Sequence, residues 1–221
     1  MVNRGLFVVF EGGDSTGKSS QVKALAASLE LSGIDYLVTH EPGDTPVGRT
    51  IRQVLLDPAS DLDDRCEALL YAADKAQHIR RVVQPAVAAG TVVICDRYID
   101  SMLAYQGAGR NLDMEELSTI IAWATYGVKP DLTVLLDADP QHAVSTKKTK
   151  DRLEEAGLDF HQRVRRGFLE LAEADPARYL VLTALVSLPG IAGRVRERVS
   201  GLLGCPLAIP DLPNPAPRVT L

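Results

Sequence analysis

The run Gly12-Gly13-Asp14-Ser15-Thr16-Gly17-Lys18-Ser19 fits the pattern G-x4-G-K-[ST]. Glycines at these positions let backbone N–H groups close around a polyphosphate, and a helix beginning at the end of the loop adds positive potential. Lys18 is spaced to reach the β- and γ-phosphates. The Ser19 hydroxyl is a hard oxygen donor suited to Mg2+. A second cluster, Asp96-Arg97-Tyr98, closes an apolar run. In open α/β sheets ligands sit beyond the carboxyl ends of the strands, so Asp96 is expected near the phosphates, holding Mg2+ through water. Arg97 beside it can fork onto a phosphate. Tyr71 and Lys75 stand four residues apart, on one face of an expected helix. There an aromatic ring can stack on a base and a cation can donate to a base carbonyl, although a core tyrosine beside a solvated lysine fits the same spacing. A fourth group, Lys147, Lys148, Lys150 and Arg152, lies in a charge-dense stretch with no wide apolar face. Phosphoryl transfer needs cations that neutralise the moving group, often from a lid; a solvated loop is the plainer alternative.

These residues need a scaffold, and the hydrophobic pattern supplies one. Leu6 to Phe10 is a short apolar run ending in Gly12-Gly13, as expected for a buried parallel strand. Further strands are expected at Tyr36–Thr39, Thr91–Cys95, Leu132–Leu136 and Tyr179–Leu182. Between them, helical spacing marks Ser19–Leu31, Val47–Leu56, Glu67–Ala89 with a kink at Pro85, Met114–Tyr126, Phe160–Ala174 and Ile191–Leu203, the last capped by Gly204. Apolar strands alternating with amphipathic helices imply an α/β fold, a parallel sheet with helices on both faces.

Composition narrows the function. With 24 Lys and Arg against 29 Asp and Glu the net charge is −5, which argues against a general nucleic-acid binder but not against a local basic pocket. Residues 1–204 read as one domain with a lid segment at about 145–158, and residues 205–221, with five prolines, as an extended tail. Cys66, Cys95 and Cys205 have no paired or metal-like spacing, in keeping with a reducing compartment. No apolar run approaches the roughly 18 residues of a membrane span, and Leu6–Phe10 is too short for a secretory signal, so a cytoplasmic location is expected.

Longer strings carry a resemblance. Phe10-Glu11-Gly12-Gly13-Asp14 through Ser20, Glu41-Pro42-Gly43, Leu55-Leu56-Asp57-Pro58, Asp96-Arg97-Tyr98, Ala104-Tyr105-Gln106-Gly107, Asp151-Arg152-Leu153-Glu154 and Gly157-Leu158-Asp159-Phe160-His161 together resemble the thymidylate kinases, P-loop nucleoside monophosphate kinases. The resemblance implies the P-loop NTPase fold, a five-stranded parallel sheet flanked by helices, and transfer from ATP·Mg2+ to dTMP. It implies that Gly12 to Ser20 (Gly12, Gly13, Asp14, Ser15, Thr16, Gly17, Lys18, Ser19, Ser20) hold ATP, with Ser19 and Asp96 at the metal. It also implies that Arg97 holds the acceptor phosphate, that Arg52 reaches the same phosphate, and that Tyr71 stacks on thymine. Lys75 stands at the base-reading position, Ser101, Tyr105 and Gln106 line the acceptor pocket, and Asp14 and Glu41 lie near the transferring group. Some members carry a catalytic arginine in the P-loop; here that position is Ser15, which leaves Arg152 of the lid as the candidate. Members usually pair as homodimers.

The chain departs from the usual pattern at several positions. His40 and Asp44 flank Glu41-Pro42-Gly43 where Arg and Gly are usual, Lys75 replaces Arg, Met102 replaces Ser or Thr, lid arginines appear as lysines, and Thr183 replaces Asp. Lysine cannot make a bidentate fork. Lys75 and Met102 therefore keep open a kinase for another pyrimidine monophosphate, and the departures together keep open a nucleotide-binding relative without transfer.

Overall fold

The computed structural model describes residues 4–143, 156–184 and 186–211. Five strands form one parallel sheet: β1 (Phe7–Glu11), β2 (Tyr36–His40), β3 (Val92–Asp96), β4 (Leu132–Asp137) and β5 (Tyr179–Thr183), in the order β2-β3-β1-β4-β5. All five strands expected from the sequence are present. β1 is central, in register with β3 through Phe10 and Asp96 and with β4 through Phe10 and Val134. After β3 the chain crosses to the far side of β1. This is the reversal in strand order beyond which α/β sheets open a ligand crevice.

Alternate side chains of a strand point to opposite faces, and each face has its own cover. Val8 and Phe10 of β1 join Ile94 and Val134 beneath α1 (Lys18–Leu31) and α9 (Leu188–Leu203), which contribute Leu25, Leu29, Val195 and Val199. Phe7 and Val9 face the other way, with Val93 and Cys95, against α3 (Asp64–His78) and α6 (Met114–Ala124). On that same face α8 (Leu158–Ala174) packs Phe160, Val164 and Phe168 on Tyr105 and Leu135. Strand β1, fully buried on both sides, reads as an uninterrupted apolar run from Phe7 to Phe10 for this reason.

Helix boundaries differ from the sequence expectation in instructive ways. α2 runs over Pro46–Leu56, with Thr45 capping the Gly48 N–H. α3 begins at Asp64, before Glu67, because the Asp63 carboxylate caps the N–H groups of Arg65 and Cys66. Pro85 does not kink the helix by itself. The chain widens into a π-helical turn over Ile79–Val83 and resumes as α4 (Gln84–Ala88), since Pro85 has no N–H to donate into the preceding turn. A further helix unmarked by the sequence pattern, α5 (Ile99–Met102), continues as a π-helical stretch Leu103–Gly109. A short α7 (Pro140–Ala143) follows β4. Gly204 ends α9 in the left-handed conformation, as expected. The lid residues Lys147, Lys148, Lys150 and Arg152 lie outside the described residues, as does the tail beyond Asp211.

Candidate active site

A cleft of about 760 Å³ opens beyond the carboxyl ends of β1, β2 and β3, and residues 14–20 form one end of it. Here the loop takes the shape that the glycines allow. Gly12 sits at φ +129, and a Cβ there would meet the Leu136 carbonyl oxygen of β4 at 2.4 Å. No side chain fits. Lys18 turns back over the loop, its Nζ donating to the Gly12 and Gly13 carbonyls at 3.1 and 2.7 Å. Burial and the neighbouring Arg97 charge lower its pKa to about 8. Asp14, Asp96 and Glu11 offset this only in part. Ser19 Oγ donates to Asp96 Oδ2 at 3.2 Å, so the two expected metal ligands meet at the cleft.

Arg97 follows β3 in the left-handed region, at φ +70. A non-glycine residue there costs of order 1–3 kcal/mol and persists only where its surroundings over-determine it. Several bonds do so. Its N–H donates to the Phe10 carbonyl at 2.9 Å. Nη1 donates to Gly12 O and Ser101 Oγ, Nη2 to Asp14 Oδ1 at 2.8 Å, and the guanidinium lies 5.3 Å from the Tyr105 ring centre. Tyr105 Oη donates to the other Asp14 oxygen at 3.1 Å. Asp14, Arg97, Ser101 and Tyr105, drawn from two separate stretches of sequence, thus form one cluster lining the cleft.

The opposite wall comes from β2, the loop after it, and α3. Tyr71 and Lys75 line the cleft together, as their spacing predicts. The solvated-lysine alternative is ruled out, because Lys75 is 2% exposed. Its Nζ donates to Glu41 Oε2 at 2.6 Å and lies 5.7 Å from the Tyr98 ring centre. Glu41, also buried, holds His78 Nδ1 with its second oxygen at 2.6 Å, and His78 Nε2 lies 2.6 Å from Thr39 Oγ1. Burial opposes the Glu41 charge, but Lys75 and His78 outweigh it and hold the carboxyl below its ordinary range. The structure thus brings Glu41 and Lys75, read separately from the sequence, into one ion pair. Asp74 Oδ1 accepts the Gly43 N–H at 3.1 Å, with burial and the Glu41 charge raising its pKa to about 6. Arg52 lines the same cleft and donates to the Pro42 carbonyl at 2.8 Å. Gln106 also lines it, and its Nε2 donates to the fully buried Glu67 at 2.7 Å.

Two residues central to this geometry have no role in the sequence reading. Glu11 appears there only inside a longer string, and His78 not at all. A single carboxylate after an apolar strand carries no spacing signal. The imidazole, three residues after Lys75, could have been found only by placing it on the same helical face.

A phosphate-cradling loop and, across one cleft, arginines beside aromatic rings define the class as P-loop kinases acting on a small phosphorylated acceptor. The thymidylate kinase family profile matches residues 10–189. The chain is 54% identical over 200 residues to a thymidylate kinase of Cutibacterium acnes, covering 90% of this chain and 98% of that protein. It is 49% identical over 186 residues to one of Deinococcus radiodurans, covering 83% and 90%. The crystal structure of thymidylate kinase from Ehrlichia chaffeensis superposes with a TM-score of 0.74 at 30% identity, over 89% of this chain and 99% of that one. The chain belongs to the thymidylate kinase family.

Proposed function

We propose that the chain transfers the γ-phosphoryl group of ATP to dTMP, giving dTDP and ADP. One observation carries the reading: Lys18, of the donor loop, and Arg97, of the facing cluster, converge on the same end of one cleft. Phosphoryl transfer asks little covalent chemistry of a protein. It asks for two oxygens held in line and for charge that matches the moving group. Residues Gly12 to Ser20 offer the donor phosphates backbone N–H groups and the Lys18 ammonium. Arg97 offers the acceptor phosphate a bidentate partner, Arg52 lines the same cleft, and Tyr71 offers the base a face. Asp14 holds Arg97 and Tyr105 in place from its two oxygens until a phosphate competes for the guanidinium.

The donor set also suits Mg2+. Ser19 and Asp96 are hard oxygen ligands meeting beside the phosphate loop, and Mg2+ typically takes one or two such protein oxygens together with substrate phosphates. When bound there, the ion neutralises charge on the donor phosphates. Lys75, fixed by Glu41, keeps ammonium hydrogens for the base edge, and Met102 of α5 adds an apolar side chain to the cleft lining. From the sequence we assign Arg152 to the charge on the transferring group, because Ser15 leaves the loop without a cation of its own.

We place the enzyme in the cytoplasm, in keeping with three free thiols; no helix among the described residues is long and apolar enough to cross a membrane. We also propose a homodimer. The adjoining helices α2, α3 and α6 expose Val47, Val54, Leu69 and Trp123, more apolar surface than a solvent-facing wall requires. The test of function is ADP release with ATP and Mg2+, compared across dTMP, dUMP and dCMP. Release that depends on dTMP supports the reading, and equal release with all three, or with none added, contradicts it.

A further inference from the structure

Glu11, the last residue of β1, is fully buried and follows four buried apolar residues, Phe7 to Phe10. Nothing in the transfer itself needs it: phosphates are met by the loop that follows it and by Arg97. Its hydrogen bonds run elsewhere. Oε1 accepts the Tyr98 N–H at 2.8 Å and the Ser101 N–H at 3.1 Å, and Oε2 accepts the Ser101 hydroxyl at 2.5 Å. Those two N–H groups belong to the start of α5, where donors have no partner within the helix. A carboxylate from the neighbouring strand therefore caps α5. Ser101 Oγ in turn accepts from Arg97 Nη1 at 3.2 Å.

We propose that Glu11 is a positioning residue of the acceptor site, which holds the left-handed Arg97 turn and its guanidinium in register with the donor loop. The linkage is short. Glu11 precedes Gly12, whose carbonyl takes an Arg97 hydrogen bond, and it pins Tyr98, which follows Arg97. The strained residue is thus gripped on both sides by groups that hang from β1. Without the carboxylate, α5 loses its cap, the strained turn loses its restraint, and Arg97 can relax away from the acceptor phosphate. A group acting this way touches no substrate, and its removal should be felt by dTMP and not by ATP. The inference rests on the assignment of Arg97 to the acceptor phosphate.

The test is a double-mutant cycle of Glu11→Gln and Arg97→Ala in the full chain, with KM for dTMP, KM for ATP and a thermal midpoint for each protein. Glutamine keeps one oxygen for the two N–H groups and removes the charge. We expect Glu11→Gln to raise KM for dTMP about tenfold, the scale of losing a hydrogen bond to a charged group, and to leave KM for ATP within about twofold. In the Arg97→Ala background the same change should have almost no further effect on dTMP, because coupled residues are non-additive. Equal rises in both KM values, no rise for dTMP, or full additivity with Arg97→Ala would overturn the inference. Should Glu11→Gln fail to fold, Glu11→Asp, which keeps the charge but shortens its reach to the two N–H groups, enters the same cycle under the same criteria. An Arg97→Ala enzyme with unchanged KM for dTMP would overturn the acceptor-site reading, and this inference with it. A damaged Arg97→Ala beside an additive Glu11→Gln overturns the inference alone.

Discussion

Lys18 Nζ and Arg97 Nη1 donate to the same acceptor, the carbonyl oxygen of Gly12, each at 3.1 Å. Two cations from separate strand-to-helix connections therefore share one backbone oxygen. Their mutual repulsion is part of the reason the Lys18 pKa falls, after burial itself. In the proposed reading, bound phosphates would offset this repulsion.

Lys18→Ala should cost at least about 3 kcal/mol of transition-state stabilisation, the scale of a single preorganised electrostatic group in a water-poor site. The fold should persist, because the buried ammonium is held against a desolvation penalty and its loss removes that penalty too. The check is kcat beside a thermal midpoint. Retention of more than about a tenth of the activity would move the donor cation elsewhere.

Lys18 also sets a pH dependence. Its pKa is depressed to about 8 in the ligand-free protein, and donor phosphates, being anionic, must raise it on binding. The charged form is thus complete below the depressed value and is lost as pH rises through about 8. ATP affinity should fall across that interval, and binding at pH 8 should take up close to half a proton. Calorimetry in two buffers of different ionisation enthalpy measures this uptake. Lys18→Arg, charged at every accessible pH, should abolish it.

Arg97→Ala should lower kcat/KM for dTMP by about 100-fold or more, since truncating a charge-assisted pair at a buried contact costs about 2–5 kcal/mol. ATP binding should change little. Steady-state kinetics with each substrate varied in turn gives both numbers, and an unchanged response to dTMP would relocate the acceptor phosphate.

Lys75→Met tests the buried pair with Glu41. Removing one partner leaves a carboxylate in a site 3% exposed, hydrogen-bonded to His78 and beside the acidic Asp74. The expected loss of stability is about 3–5 kcal/mol, read from urea unfolding. Adding Glu41→Gln to Lys75→Met should recover part of that loss. A loss below about 1 kcal/mol in the single variant would show that the pair is not energetically coupled.

The legibility of this chain in its sequence follows from physics. Strand β1, buried on both faces, is apolar from Phe7 to Phe10, and the phosphate loop needs glycine where a Cβ would strike β4; both leave marks on residue type. The helix from Ile99 through Gly109 leaves none. It is buried almost all round, so it lacks the polar face that makes a period visible, and it contains two glycines that usually argue against a helix. Gly109 is there because a Cβ would come within 2.6 Å of the Phe160 ring. The Tyr71 and Lys75 spacing revealed a shared face, but the partner of Lys75 lies in the loop after β2, and long-range pairing has no local signature. Glu11 is hidden for the same reason: its bonds reach across the sheet to a helix start that the pattern does not mark.

The central claim is that one cleft joins a donor and an acceptor nucleotide for direct transfer. The measurement closest to it follows a labelled γ-phosphoryl group from ATP in the presence of Mg2+ and dTMP. The account predicts that the label appears in dTDP, one for each ADP formed, and that Lys18→Ala and Arg97→Ala each suppress its appearance. Label released as inorganic phosphate at the same rate with or without dTMP would contradict it.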